Sequence, residues 1–174
     1  MKRDQRFVQR LAFSGLLVAI MLILGYIESL LPLPTPVPGI KLGISNSALL
    51  FALYLLGVRY TFVLMLLKVG LSGLLFGSPM TMLFALCGGL LSVLVMVLLS
   101  RIKGVDMIVV SMAGAVFHNV GQILAAMAVM SEVAAGALMG YMAVLMAVGM
   151  VTGALTGVLG KAVTGRLRNA GFRL

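Results

Sequence analysis

Long runs of apolar residues, separated by short polar breaks, make up most of the chain. The runs lack the strict alternation of a barrel strand, so their backbone hydrogen bonds must close within each run, as in a helix. Because Gly57-Val58-Arg59 is the only break between the second and third runs, we expect these two to form a tight hairpin that need not fully cross. The pattern predicts an all-α membrane bundle of about six transmembrane helices, near 11–31, 44–57, 60–76, 79–100, 107–130 and 136–160.

Composition supports lipid as the solvent of this chain. Of its 174 residues, 62% are hydrophobic and 10% are charged, whereas a typical soluble domain is about 25% charged. The first run, 11–31, exceeds the 7–15 apolar residues of a signal peptide and carries no small-x-small cleavage site. We therefore retain it as a span and treat 1–174 as a single integral membrane domain.

The position of the basic residues gives the formal net charge of +9 its meaning. All of the 13 except Lys41 and Lys68 lie before the first run, in alternate breaks, or after the last run. By the positive-inside rule these places are cytoplasmic. The pattern predicts a multi-pass protein of a cell membrane with both termini in the cytoplasm, and we expect the cell to be bacterial. A nucleic-acid partner is not needed to explain the charge.

The sequence excludes several kinds of catalytic site. Its acidic residues are Asp4, Glu28, Asp106 and Glu132, which form no aspartate-rich motif for magnesium and a diphosphate. One histidine and one cysteine cannot build a zinc site, and no phosphate-binding loop is present. The lone Cys87 is expected to be an inert packing residue. We predict no catalytic residue, no metal and no cofactor, and therefore no enzyme.

Two charged residues fall inside predicted spans, where charge is costly. Lys68 lies near the middle of the third span, and Glu28 lies toward the external end of the first. The two are candidates for a pair that contacts a substrate. A lysine that extends to the interface, or a buried ion pair, is the structural alternative.

The fifth predicted span holds the densest polar cluster. His118 and Gln122 are four residues apart and Asn119 and Gln122 three apart, so the sequence predicts one broad polar face, with Phe117 beside it. Such a face suits either contact with a ligand or hydrogen bonds between helices. Both interpretations stay open.

The second run opens just after an unusual loop. Prolines occupy every second position from 32 to 38, which favours an extended external loop that is either a spacer or a cover for a pocket. Ser45 or Asn46 suits the N-cap of the following helix. Its free amides, together with Lys41, would favour an anion.

Small residues recur at helical spacing in several spans. Gly15 and Ala19 form one such stripe, and Gly149, Gly153 and Gly157 form another. Stripes of this kind allow helices to approach closely. They indicate either packing within the bundle or a docking face for another membrane subunit.

Three motifs, taken in order, resemble a known family. They are Gly-Ile-Lys-Leu-Gly-Ile-Ser-Asn at 39–46, Leu-Ser-Gly-Leu-Leu-Phe-Gly-Ser-Pro-Met at 71–80 and Gly-Ala-Val-Phe-His-Asn-Val-Gly-Gln at 114–122. The chain resembles, over nearly its whole length, the Gx transporter family, which is labelled heptaprenyl diphosphate synthase component I. That family is similar to the substrate-binding (S) components of energy-coupling factor (ECF) transporters.

The resemblance implies a six-helix protein that captures a small organic molecule or vitamin-like precursor outside the cell. A partner transmembrane subunit and two cytoplasmic ATPases would complete the importer. S components dock through small residues of the first helix, often Ala-x-x-x-Ala, and the corresponding residues here are Gly15 and Ala19. The resemblance and the polar residues together give Glu28, Lys41, Asn46, Lys68, Phe117, His118, Asn119 and Gln122 as candidate substrate contacts.

The family label supports an alternative. The chain would then be a non-catalytic membrane subunit associated with heptaprenyl diphosphate synthase or with quinone-linked redox machinery. A polar face within the bundle favours the transporter, because an anchor needs only apolar and small residues. The sequence does not identify the substrate.

Overall fold

The computed structural model describes residues 2–30, 43–129 and 132–169, and these residues are helical except at short connections. The proline loop and Lys41 lie outside the described residues. Five of the six predicted spans are present as single helices, and the first and last extend further than expected. The elements are α1 (Lys2–Leu30), a 3₁₀ turn (Ile44–Asn46), α2 (Ser47–Phe51), a π-helical turn (Ala52–Leu56), α3 (Val58–Phe76), α4 (Pro79–Ser100), α5 (Met107–Val129) and α6 (Glu132–Asn169).

Five of these helices, α1 and α3 to α6, are long and apolar enough to cross a membrane. The longest, α6, has 38 residues and reaches about 57 Å, against about 30 Å for the hydrocarbon core. Phe13 and Leu17 of α1 belong to the same core cluster as Val105 and Met107 at the start of α5.

The second predicted span is not a regular transmembrane helix. It is a 3₁₀ turn, a short α-helix and a π-helical turn in succession, of three, five and five residues, and together they reach only about 20 Å. We call Ile44–Leu56 the interrupted helix. It lies inside the bundle rather than against lipid, because each of its described side chains is buried or half-buried. The fully buried apolar ones are Ala48, Leu49, Leu50 and Ala52.

Glycine at both ends explains why this segment departs from a regular span. Gly43 and Gly57 have φ angles of +83° and +93°, which L-residues with a side chain seldom adopt. The Gly57 N–H donates to the carbonyl of Ala52 at 2.9 Å, closing the π-helical turn. Irregular backbone of this kind is tolerated at membrane depth where protein covers it.

Helices α4, α5 and α6 pack so closely that side chains are excluded at several contacts. A Cβ added at Gly121 of α5 would lie 2.8 Å from the Cys87 carbonyl oxygen of α4. One added at Gly153 of α6 would lie 2.6 Å from the Met112 Cα of α5. The stripe in the last helix therefore serves packing within the bundle, as one of the two interpretations expected.

The connections at the two ends of α4 are fixed by side chains. Before α4, Thr81 N–H donates to Ser78 Oγ at 3.2 Å and Ser78 N–H donates to Thr81 Oγ1 at 2.8 Å, which is a capping box. After α4, Ile108 N–H donates to Asp106 Oδ1 at 2.9 Å, and Lys161 of α6 donates to Asp106 Oδ2. These bonds lower the pKa of the Asp106 carboxyl, the backbone bond contributing most.

Candidate functional site

The start of the interrupted helix is held by a carboxylate from α1. Glu28 Oε1 accepts hydrogen bonds from the backbone N–H groups of Gly43 and Ile44, the latter at 3.4 Å. The Glu28 side chain is 2% exposed. Its second oxygen, Oε2, has no hydrogen-bond partner among the described residues. Glu28 thus supplies the acceptor that the amides of this helix start require, and retains one oxygen for another donor.

Gly43 brings the same backbone against the middle of α5. A Cβ added there would lie 2.7 Å from His118 Cδ2, and the φ of +83° disfavours a side chain independently. His118 lies midway between Met107 and Val129, the ends of α5. The left-handed conformation and the missing side chain together let the start of the interrupted helix meet the imidazole.

A lysine and an asparagine form the centre of the site. Lys68 of α3 donates from Nζ to Asn46 Oδ1 at 2.9 Å, and Asn46 N–H donates to the Gly43 carbonyl at 2.9 Å. Lys68 is 5% exposed and Asn46 is 8% exposed. The Asn46 Nδ2 has no hydrogen-bond partner among the described residues. Glu28 and Lys68, which sequence suggested as a pair, are thus linked through residues 43–46.

Two small cavities flank this asparagine and lysine. One, of about 20 Å³, is lined by Lys68 together with Ser45, Ser72 and Thr81; we call it the lysine cavity. The other, also of about 20 Å³, is lined by Asn46 and by hydroxyl residues of α4, α5 and α6; we call it the hydroxyl cavity. Each has room for a group the size of a water molecule.

Contrary to the sequence prediction, the three polar side chains of α5 do not lie on one face. His118 Nδ1 and Gln122 Cγ both lie against Gly88 of α4, where an added Cβ would be 2.8 and 2.9 Å away. Asn119 instead donates from Nδ2 to the Leu145 carbonyl of α6 at 2.7 Å. The structure thus assigns Asn119 to the α5–α6 contact, because a step of one residue turns a helical side chain by about 100°.

Other predicted contacts lie apart from this centre. Phe117 is 40% exposed on the outside of α5, away from the buried His118 beside it. Tyr26 and Phe76 make an edge-to-face contact with ring centroids 5.7 Å apart, linking α1 to the end of α3. The structure therefore brings Glu28, Asn46 and Lys68 together around residues 43–46, and Phe117 lies apart from them.

The predicted docking residues lie on an open face of α1. Gly15 and Ala19 are both exposed, and a Cβ added at Gly15 would meet no atom within 4 Å. This stripe is therefore not used to pack the described helices together. It differs in this respect from the glycine stripe of α6.

Sequence reasoning missed the hydroxyl residues that line the cavities. Ser92, Ser111, Thr152 and Thr156 surround the hydroxyl cavity from three helices. The spacing of Thr152 and Thr156, one turn apart within an apolar helix, was a signal that they share a face. The positions of Ser92 and Ser111 relative to them depend on how the helices pack, which a single sequence does not give.

Comparison with known families gave one match. The family model described as heptaprenyl diphosphate synthase component I matches residues 17–163, which include every helix from the middle of α1 to late α6. Comparisons with curated proteins and with solved structures found no match.

Proposed function

We propose that this chain, which belongs to the heptaprenyl diphosphate synthase component I family, is the substrate-binding membrane (S) component of an energy-coupling factor type importer. Its substrate is a small organic molecule or vitamin-like precursor. It binds the substrate within the bundle, and other subunits supply the energy of transport.

The observation that carries this proposal is the buried hydrogen bond between Lys68 and Asn46 at the start of the interrupted helix. A lysine within an apolar bundle is costly and marks a functional site by default. Interrupted helices inside membrane proteins commonly surround a substrate site, because their free backbone groups and cavities can bind polar molecules. A plain membrane anchor needs neither feature.

Each polar group of the site has a role in this proposal. Lys68 neutralises an acidic group of the substrate, and Asn46 positions that lysine. Glu28 orders the helix start through Gly43 and Ile44. His118 forms the wall of the site on the α5 side and packs against Gly43.

Docking uses α1 of this chain, and other subunits supply the energy of transport. Gly15 and Ala19 form an open small-residue stripe to which a transmembrane partner can pack closely. Cytoplasmic ATPases bound to that partner hydrolyse ATP. This chain then has no catalytic role of its own.

The docking part is tested by co-purification with the energy-coupling transmembrane subunit expressed in the same cells. Gly15→Leu should abolish co-purification, because the added bulk separates the helices. Gly136→Leu is the matched control, since Gly136 is also exposed with no atom within 4 Å of its added Cβ. Co-purification of Gly15→Leu at the wild-type level would refute docking through this stripe.

The family description favours one second candidate, a non-catalytic membrane subunit of a heptaprenyl diphosphate synthase. The discriminating experiment expresses the catalytic synthase subunit with and without this chain and measures formation of the long-chain prenyl diphosphate. A requirement for this chain, retained in Lys68→Met, would favour the synthase subunit. Product formation independent of this chain would favour the importer.

A further inference from the structure

We infer that the hydroxyl cavity receives an uncharged hydrogen-bond acceptor of the substrate, so that the substrate class is a small organic acid with a carbonyl-type acceptor near its carboxylate. This inference rests on the proposed function and specifies its ligand. The hydroxyl cavity and the lysine cavity differ in charge, and Asn46 and Lys68 join them through their hydrogen bond.

The hydroxyl cavity is polar without being charged. Its described lining contains no lysine, arginine, histidine or acidic residue. Its polar side chains are one amide and four hydroxyls, those of Asn46, Ser92, Ser111, Thr152 and Thr156. Placing an ion in such a cavity, without an opposite charge, would cost far more free energy than placing a neutral polar group there.

Asn46 gives the cavity a donor that requires a partner. Its Oδ1 accepts from Lys68, which fixes the amide so that Nδ2 is the end left over. That Nδ2 is buried and has no hydrogen-bond partner among the described residues. Thr152 does not compete for the role of donor, because its hydroxyl already donates to the Val148 carbonyl at 3.0 Å. An acceptor atom on the substrate satisfies Nδ2 and removes the cost of leaving it unpaired.

The lysine cavity suits the other end of such a molecule. It combines the Lys68 ammonium with the hydroxyl residues Ser45, Ser72 and Thr81, a set that binds carboxylate oxygens. Lys68 Nζ lies 2.9 Å from Asn46 Oδ1, so Nζ and Nδ2 are at most about 5 Å apart by covalent geometry. A carboxylate and a carbonyl separated by two methylene groups can therefore reach both donors.

Three five-carbon probes test this assignment. The first, 4-oxopentanoate, has a carboxylate and a ketone; pentanoate lacks the ketone, and 2-pentanone lacks the carboxylate. Dissociation constants are measured from the rise in melting temperature of the purified protein in detergent. We expect 4-oxopentanoate to bind about tenfold more tightly than pentanoate, as one buried hydrogen bond allows, and 2-pentanone to bind more weakly than either.

Variants assign the difference to the two cavities. Asn46→Leu is close in size and lacks the donor, so it should bind 4-oxopentanoate and pentanoate equally. If Asn46→Leu does not fold, Asn46→Ala, which also lacks a donor, provides the same comparison with a smaller side chain. Lys68→Met should lose most of the binding of both acids. Gly70→Ala, where the added Cβ meets no atom within 4 Å, is the control and should retain the wild-type order.

The outcomes separate this inference from the proposed function. Equal binding of 4-oxopentanoate and pentanoate by the wild type, lost in Lys68→Met, would overturn the inference and leave the proposed function standing. Preference for the ketone retained in Asn46→Leu or Asn46→Ala would overturn the assignment to Nδ2. Binding of none of the probes would overturn the inference and count against a substrate site at Lys68.

Discussion

Replacing Gly88 by alanine should separate α4 from α5 at the site. The added Cβ would lie 2.6 Å from the His118 carbonyl oxygen and 2.8 Å from His118 Nδ1. The carbonyl belongs to the backbone of α5 and cannot rotate away, so the helices must move. Overpacking of this kind costs about 1–3 kcal/mol, and the greater helix propensity of alanine returns at most about 1 kcal/mol. Because the clash is with backbone, the cost should lie at the upper end of this range, and we expect a net loss of about 2 kcal/mol.

The neighbouring Gly89 provides a matched control on the same helix. A Cβ added there would lie 3.0 Å from Met65 Sδ and 3.1 Å from Met65 Cγ, both in a flexible side chain that can shift. Gly89→Ala should therefore change stability by less than about 1 kcal/mol. Stability is measured by titrating detergent micelles with sodium dodecyl sulfate and following helical circular dichroism. A Gly88→Ala variant as stable as Gly89→Ala would refute the close contact between α4 and α5.

Four further predictions address other parts of the molecule. Asn119→Ala should lower the stability measured in the same titration by about 1 kcal/mol, the typical net value of one hydrogen bond, and should not weaken probe binding. Weaker probe binding by a variant of unchanged stability would show that Asn119 belongs to the binding site. Glu28→Leu should destabilise the protein more than Glu28→Gln, which keeps an acceptor oxygen for the Gly43 amide, and equal effects would contradict the role of Oε1. The contact between Asp106 and Lys161 should stabilise the protein fully at pH values above the ordinary carboxyl pKa of about 4. This stabilisation should be lost as the pH falls through the lowered pKa of Asp106 in the folded protein. The melting temperatures of wild type and Asp106→Asn should therefore converge at low pH, and a difference that stays constant with pH would contradict this role. Reporter fusions should place both termini in the cytoplasm, whereas an external C-terminus would contradict the assigned membrane sides.

Helix positions followed from the sequence because apolar runs and polar breaks act locally. The start of α4 at Pro79 and the break at Gly57 are examples, since proline and glycine limit the backbone wherever they occur. That the second span need not fully cross was expected, but its 3₁₀ turn and its π-helical turn were not predicted. Both turns depend on burial among neighbouring helices, which allows them where lipid would not.

For the candidate site, the sequence predicted which residues take part better than it predicted their arrangement. Glu28, Asn46, Lys68 and His118 were selected because polar groups in apolar spans require a partner, and the structure brings them together around Gly43. The partners themselves were not predictable. Asn46 as the acceptor for Lys68 depends on how deeply the interrupted helix enters the bundle, and that depth is set by tertiary packing.

Native mass spectrometry of the protein extracted from its own membranes tests the central claim most directly, which is that the site around Lys68 binds a small molecule. We expect the wild type and Gly70→Ala to carry a bound small molecule of one defined mass, and Lys68→Met to have lost it while remaining folded. Retention of that molecule by folded Lys68→Met, or its absence from the wild type, would contradict the claim.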